Sequence, residues 1–255
     1  MRLHFKAYGG GEPLVLLHGL FGSSDNWLGV LPKLAEKFHV FAVDLRNHGQ
    51  SPHSAAMSYA LMADDLVEFL AERHLPGITV IGHSLGGKVA MQFALSHPDK
   101  VQKLVVADMA PRVYEPVHEP ILAALLDLDL KSFHTRQEIE EALEPVVPSL
   151  VVRRFLLKNL GRDAGGGLYW KMNVPGLAEN YSRLGEALTA AAPFEKPALF
   201  VRGGRSDYIQ AEDEPLIREL FPKAEIQTIA QAAHWVHGDA PDEFVSRVLK
   251  FLLPV

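Results

Sequence analysis

The hydroxyl of Ser84 lies in G-H-S-L-G-G, residues 82–87, where the apolar run Ile78, Thr79, Val80, Ile81 gives way to an amphipathic stretch. A strand that turns sharply into a helix crowds its turn residue, and small neighbours relieve the crowding. G-x-S-x-G between a predicted strand and a predicted helix is the nucleophile elbow. The turn lifts the serine hydroxyl above the sheet. It also aims the N-terminus of the next helix at the reacting centre, where unpaired N–H groups favour negative charge. The Leu85 amide is therefore an expected oxyanion donor. A serine alcohol is a weak nucleophile at neutral pH, so it needs a base in hydrogen-bond reach and an acid that orients the base.

Twelve histidines compete for the role of base. His234 stands in Q-A-A-H-W-V-H-G-D-A-P, between the last predicted strand and the last predicted helix, where a serine-triad histidine comes in chain order. His237 is read as its neighbour. His83 adjoins the serine but should point to the other side of the turn, as a packing or hydrogen-bonding partner. His97 reads as a helix cap, and His4, His39, His74, His118 and His134 have no supporting context. Two carboxylates fit the acid. Asp108 ends the strand in V-V-A-D-M-A-P, and Asp207 follows the next strand in V-R-G-G-R-S-D-Y-I. Both belong at the carboxyl edge of the sheet, where sites of open α/β folds form. The second oxyanion donor is expected in H-G-L-F-G-S-S-D-N-W: the Leu20 amide, with Phe21 as the alternative. The loop D-L-R-N-H-G-Q-S-P-H-S, residues 44–54, should brace the site.

Elements that alternate strand and helix must position these groups. Strands are predicted in L-H-F-K-A-Y, P-L-V-L-L-H-G, F-H-V-F-A-V-D-L, I-T-V-I-G-H and K-L-V-V-A-D, with helices between them. Near-continuous apolar strands separated by helices indicate a parallel sheet covered on both faces. The alternation stops over residues 112–195, which read as helices with little strand, and resumes with P-A-L-F-V-R-G-G. The expected division is a core of 1–111 and 196–255 carrying a helical cap at 112–195.

Composition narrows the function. The chain has 255 residues, 48% hydrophobic, enough for a sizeable core. A net charge of −6 without a basic run argues against a nucleic-acid partner. With no cysteine, disulfides, thiolate metal sites and a cysteine nucleophile are excluded. No segment approaches the roughly 20 apolar residues of a membrane span, and M-R-L-H-F-K-A-Y-G-G does not read as a signal peptide, so the default location is cytoplasmic. The oligomeric state is left open.

The pieces L-L-H-G-L-F-G-S-S-D-N-W, D-L-R-N-H-G-Q-S-P-H-S, G-H-S-L-G-G-K-V-A-M, V-V-A-D-M-A-P, V-R-G-G-R-S-D-Y-I and A-A-H-W-V-H-G-D-A-P-D-E-F resemble the α/β-hydrolase superfamily, and within it the YbfF-type esterases and their abhydrolase-domain relatives. The resemblance implies an α/β-hydrolase fold with a mostly parallel sheet and a helical cap. It also implies a serine hydrolase of carboxylic esters that needs no metal or organic cofactor. The YbfF pattern favours Asp108 as acid, while many other members of the superfamily point to the place of Asp207. An ester of short to medium acyl chain is the expected small-molecule substrate. Trp27, Met109, Tyr114, Trp170 and Trp235 are candidate pocket residues, with Leu122, Leu125, Tyr169 and Met172 able to line it or to pack the cap. Thioesterase, lactonase or perhydrolase chemistry on the same triad is the alternative. A non-catalytic ligand-binding protein on this scaffold is a rival of another class.

Overall fold

The structure, a computed structural model, describes residues 1–253. Its strands are β1 Phe5–Tyr8, β2 Pro13–Leu17, β3 His39–Val43, β4 Ile78–His83, β5 Val101–Ala107, β6 Leu160–Arg162, β7 Leu168–Trp170, β8 Ala198–Gly203 and β9 Ala224–Ile229. Its helices are α1 Leu31–Ala35, α2 Tyr59–Glu72, α3 Leu85–Ser96, α4 Glu119–Asp127, α5 Arg136–Leu143, α6 Leu150–Leu157, α7 Val174–Leu184, α8 Glu214–Leu220, α9 Val236–Asp239 and α10 Pro241–Leu252.

Seven of the described strands form one sheet in the order β1-β3-β2-β4-β5-β8-β9. β1 runs antiparallel to β3, and the other neighbours are parallel. Side chains alternate faces along a strand, so register sorts the core into two layers. The row Ala42, Leu16, Ile81, Val105, Leu199 packs with Trp27, Leu34, Phe244 and Val248. The next row, Phe41, Val15, Val80, Leu104, Ala198, packs with Leu66, Phe69, Val89 and Phe93 from α2 and α3. All six residues of β4 are buried, as its unbroken apolar run requires.

Between β5 and β8 the chain makes α4 to α7. Leu122, Leu125, Ile139, Leu143, Leu156, Leu157 and Leu177 there are buried and join the apolar cluster on the α2–α3 side of the sheet. The segment also holds β6 and β7, an antiparallel pair. The expectation of helices with little strand over residues 112–195 meets one short exception in this hairpin, whose loop contains Gly165, Gly166 and Gly167. No helix among the described residues is long and apolar enough to cross a membrane.

Candidate active site

The turn from β4 into α3 puts Ser84 at φ +52°, ψ −119°, a backbone region that L-residues rarely adopt. The glycines explain how the chain tolerates it. A Cβ on Gly82 would strike the Gly86 carbonyl oxygen, and one on Gly86 would strike the carbonyls of Leu17 and His18. Strand, turn and helix approach so closely that no side chain fits. Leu85 is the first residue of α3, so its N–H has no partner inside the helix and lies beside Ser84.

The expected base and one expected acid meet. His234 Nδ1 lies 2.8 Å from Asp108 Oδ2. Asp108 is fully buried and also has a positive φ, +52°. Its other oxygen accepts the Gly203 N–H at 2.8 Å, and the Ser206 hydroxyl donates to Oδ2. A buried carboxylate with three donors is solvated by the protein. Asp207 does not meet the imidazole. It is exposed, and its backbone carbonyl accepts from Arg112 at 3.1 Å. The hydroxyl of Ser84 and the ring of His234 are not hydrogen-bonded to each other, but both open onto one cavity of about 300 Å³. Such contacts are commonly long without substrate and tighten when it binds.

A shell of neutral histidines surrounds His234. His83 is buried, and its Nε2–H donates to the His234 carbonyl at 2.9 Å. Burial pulls His83 well below the ordinary imidazole value and His237 down to about 3. Their rings sit 4.7 Å apart, so neither adds a repelling charge behind His234. His18 steadies the loop that carries Gly19 and Leu20. The Leu45 N–H donates to its Nε2 at 3.0 Å, which places the ring proton on Nδ1, 2.8 Å from the Gly19 carbonyl. Burial lowers the pKa of His18 too, which keeps that neutral tautomer. Asn159 Nδ2 donates to the Phe21 carbonyl at 2.7 Å, fixing the next residue of the loop.

Loop 44–54 braces the site from outside. Arg46 makes a buried two-pronged pair with Asp65 at 2.6 and 2.7 Å. Asn47, at φ +65°, receives Asn173 Nδ2 at 3.0 Å on its side chain and the Asn173 N–H at 2.9 Å on its carbonyl.

A second cavity, about 290 Å³, also opens onto Ser84. It shares Leu20, Ser84, His118 and Tyr208 with the first but does not include His234. Met109 and Tyr114 line it, and Trp235 lines the first. Two expected pocket residues belong elsewhere. Trp27 is wholly buried, stacked on His237 at 4.4 Å beneath the loop, so it packs the core instead of walling a pocket. Trp170 lies on β7 beside a separate polar cavity with Lys6, Asp44 and Lys158. Tyr169 lines that same cavity, while Leu122, Leu125 and Met172 are buried packing. Sequence reasoning missed Ser206, Tyr208 and His118. The first two flank Asp207 in R-S-D-Y, so the loop was found but its inward-facing residues were not. His118 carries no local signal, because only the fold brings it to Ser84.

A family profile described as alpha/beta hydrolase fold matches residues 12–241. The chain is 38% identical over 258 residues to the sn-1-specific diacylglycerol lipase ABHD11 of Danio rerio, covering 98% of this chain and 81% of that protein. It is 37% identical over 245 residues to esterase YbfF of Escherichia coli, covering 94% and 93%. Among solved structures it resembles a marine microorganism esterase, with 44% identity and a TM-score of 0.96 over 98% of this chain and 99% of that one.

Proposed function

The chain belongs to the α/β-hydrolase fold family and is a carboxylic ester hydrolase; from that premise we propose that Ser84, His234 and Asp108 are its catalytic triad. The observation that carries the reading is the His234–Asp108 hydrogen bond, formed on the cavity onto which the strained Ser84 turn also opens.

His234 takes the Ser84 proton as the hydroxyl attacks the ester carbonyl. Asp108 holds the imidazole in the tautomer with Nδ1 protonated and stabilises the imidazolium. The Leu20 and Leu85 amides hold the oxyanion, each contributing a few kcal/mol, about 3. His234 then protonates the leaving alcohol, and water repeats the sequence on the acyl-enzyme. No step calls for a metal or an organic cofactor. Because His234 must reach the leaving oxygen, the alcohol belongs in the cavity that His234 lines, beside Phe155 and Trp235. The acyl group then occupies the cavity lined by Leu85, Met109 and Tyr114, under residues 112–195 acting as a cap. Each space is at the lower end of the roughly 300–1,000 Å³ usual for small-molecule sites, which supports esters of short to medium acyl chain.

A fluorophosphonate probe tests the nucleophile: the wild type should be labelled and Ser84→Ala should not. Turnover of p-nitrophenyl esters from C2 to C8 tests the substrate. A maximum at short to medium length is expected, and a flat or inverted profile would overturn the assignment.

A further inference from the structure

The mechanism leaves one contact of His234 unused. The ring of Tyr208 lies almost parallel to the imidazole, with centroids 3.6 Å apart and planes 18° apart. We propose that Tyr208 is a positioning residue: its ring holds His234 in line with Asp108 and steadies the imidazolium that forms when His234 takes the Ser84 proton. The proposal rests on the triad reading above.

The Asp108 bond fixes one atom of the imidazole and leaves the ring free to tilt about it. Tyr208 closes off one face. His83, whose ring centroid is 4.7 Å away at 44°, limits the tilt further and holds the His234 carbonyl. Tyr208 and Asp108 are themselves linked through Ser206. The Tyr208 N–H donates to Ser206 Oγ at 3.3 Å, and that hydroxyl donates to the Asp108 oxygen that His234 bonds. The two supports of the imidazole therefore move as a unit. From the other side, the Tyr114 hydroxyl donates to the Tyr208 carbonyl, and the two rings stack at 5.4 Å.

The charges facing His234 suit a transient cation. Asp108 is the anion in contact with it. His83, His118 and His237 are held neutral by burial, and burial with the nearby Asp108 carboxylate raises the Tyr208 phenol, which stays un-ionised. Lys88 and Arg112 lie against Tyr114, beyond Tyr208. An imidazolium over a π face is favoured, by up to about tenfold or more where water is excluded.

The test compares Tyr208→Phe, which keeps the ring, with Tyr208→Leu, which removes it. The rate of acetyl-enzyme deacylation is the readout, because an acetyl group barely fills either cavity. Tyr208→Phe should stay within about twofold of wild type. Tyr208→Leu should fall about tenfold, and the acid limb of its kcat/KM pH profile should move down by about half to one pH unit. An unmoved limb with an unchanged rate in Tyr208→Leu, or equal damage in both variants, overturns the proposal. Should Tyr208→Leu not fold, the wild type still decides. The His234 ring protons, assigned by their loss in His234→Asn, should resonate upfield through the Tyr208 ring current, and their absence from that region rejects the stack. Turnover surviving Ser84→Ala would instead reject the triad reading itself.

Discussion

The carboxyl edge of the sheet and the segment of residues 112–195 meet around the same two cavities but are built on different terms. At the edge, the backbone is constrained. Phe21, Asn47, Ser84 and Asp108, four of the five described non-glycine residues with positive φ, lie in the loops that carry or brace the site. Strain of this kind persists only where the surroundings over-determine it. Over residues 112–195 the elements are short helices and a hairpin, and the surface leaves Val113, Val117, Leu126, Val146, Leu150 and Val151 exposed. The edge tolerates few side chains at each position. The segment above it needs only apolar bulk on one face.

The largest expected effects fall on the edge. Ser84→Ala should lower turnover on an activated ester by about 10⁴-fold or more while the protein stays folded, because removing the nucleophile of a triad loses most of its joint effect. Wild-type turnover in that variant would dissolve the contrast altogether. Asp108→Asn should follow with a loss of about 10³–10⁴-fold, since an amide stabilises the wrong tautomer of His234. Asp207→Asn should stay within about twofold, because that side chain makes no contact with the imidazole; a reversed order would hand the orienting role to Asp207. Both variants are read by kcat on the same ester.

Glycines sharpen the comparison in terms of stability. A methyl group at Gly86 meets two backbone carbonyls that cannot move aside, so Gly86→Ala should destabilise by about 3 kcal/mol. At Gly165, in the hairpin loop between β6 and β7, the nearest atom to an added Cβ is Asp163 Oδ1 at 3.4 Å, an ordinary contact. Gly165→Ala should change stability by less than about 0.5 kcal/mol. Urea denaturation of the two variants checks the difference.

The same contrast explains what could be read from the residues alone. Ser84, His234 and the Asp108/Asp207 pair stood out because a strained turn demands glycines at fixed offsets and because the triad partners follow strands in a set order. The sheet was legible because buried parallel strands are unbroken apolar runs. The pocket was not. Trp27 and Trp170 were chosen for size and sequence neighbourhood, yet burial beneath a loop and placement on a hairpin are decided by packing at long range. Tyr208 was overlooked because neither a motif nor a period announces a ring that stacks on a histidine 26 residues further along.

A further effect, smaller than that at Gly86, is expected at the joint between the two regions. The end of α7 is held by two donors from the core, the Tyr59 hydroxyl to the Leu184 carbonyl at 2.5 Å and Lys88 Nζ to the Glu186 carbonyl at 2.5 Å, and by the Tyr114 N–H at the start of the segment, to the Gly185 carbonyl at 2.8 Å. Lys88 is wholly buried, and its ammonium faces carbonyls and the rings of Tyr59 and Tyr114 without a carboxylate partner among the described residues. Burial, with Arg112 nearby, brings its pKa down to about 8. In the unfolded chain a lysine keeps its proton to about pH 10.4. Between these values the unfolded state binds more protons than the folded one, so stability rises with pH there. The stability of wild type minus that of Lys88→Met should therefore be flat below about pH 8 and climb by on the order of 2 kcal/mol toward pH 10.4. Thermal unfolding of the two proteins across that range measures it. A difference that fell with pH would mean that the charged ammonium, and not the neutral amine, is the form that holds α7 to the core.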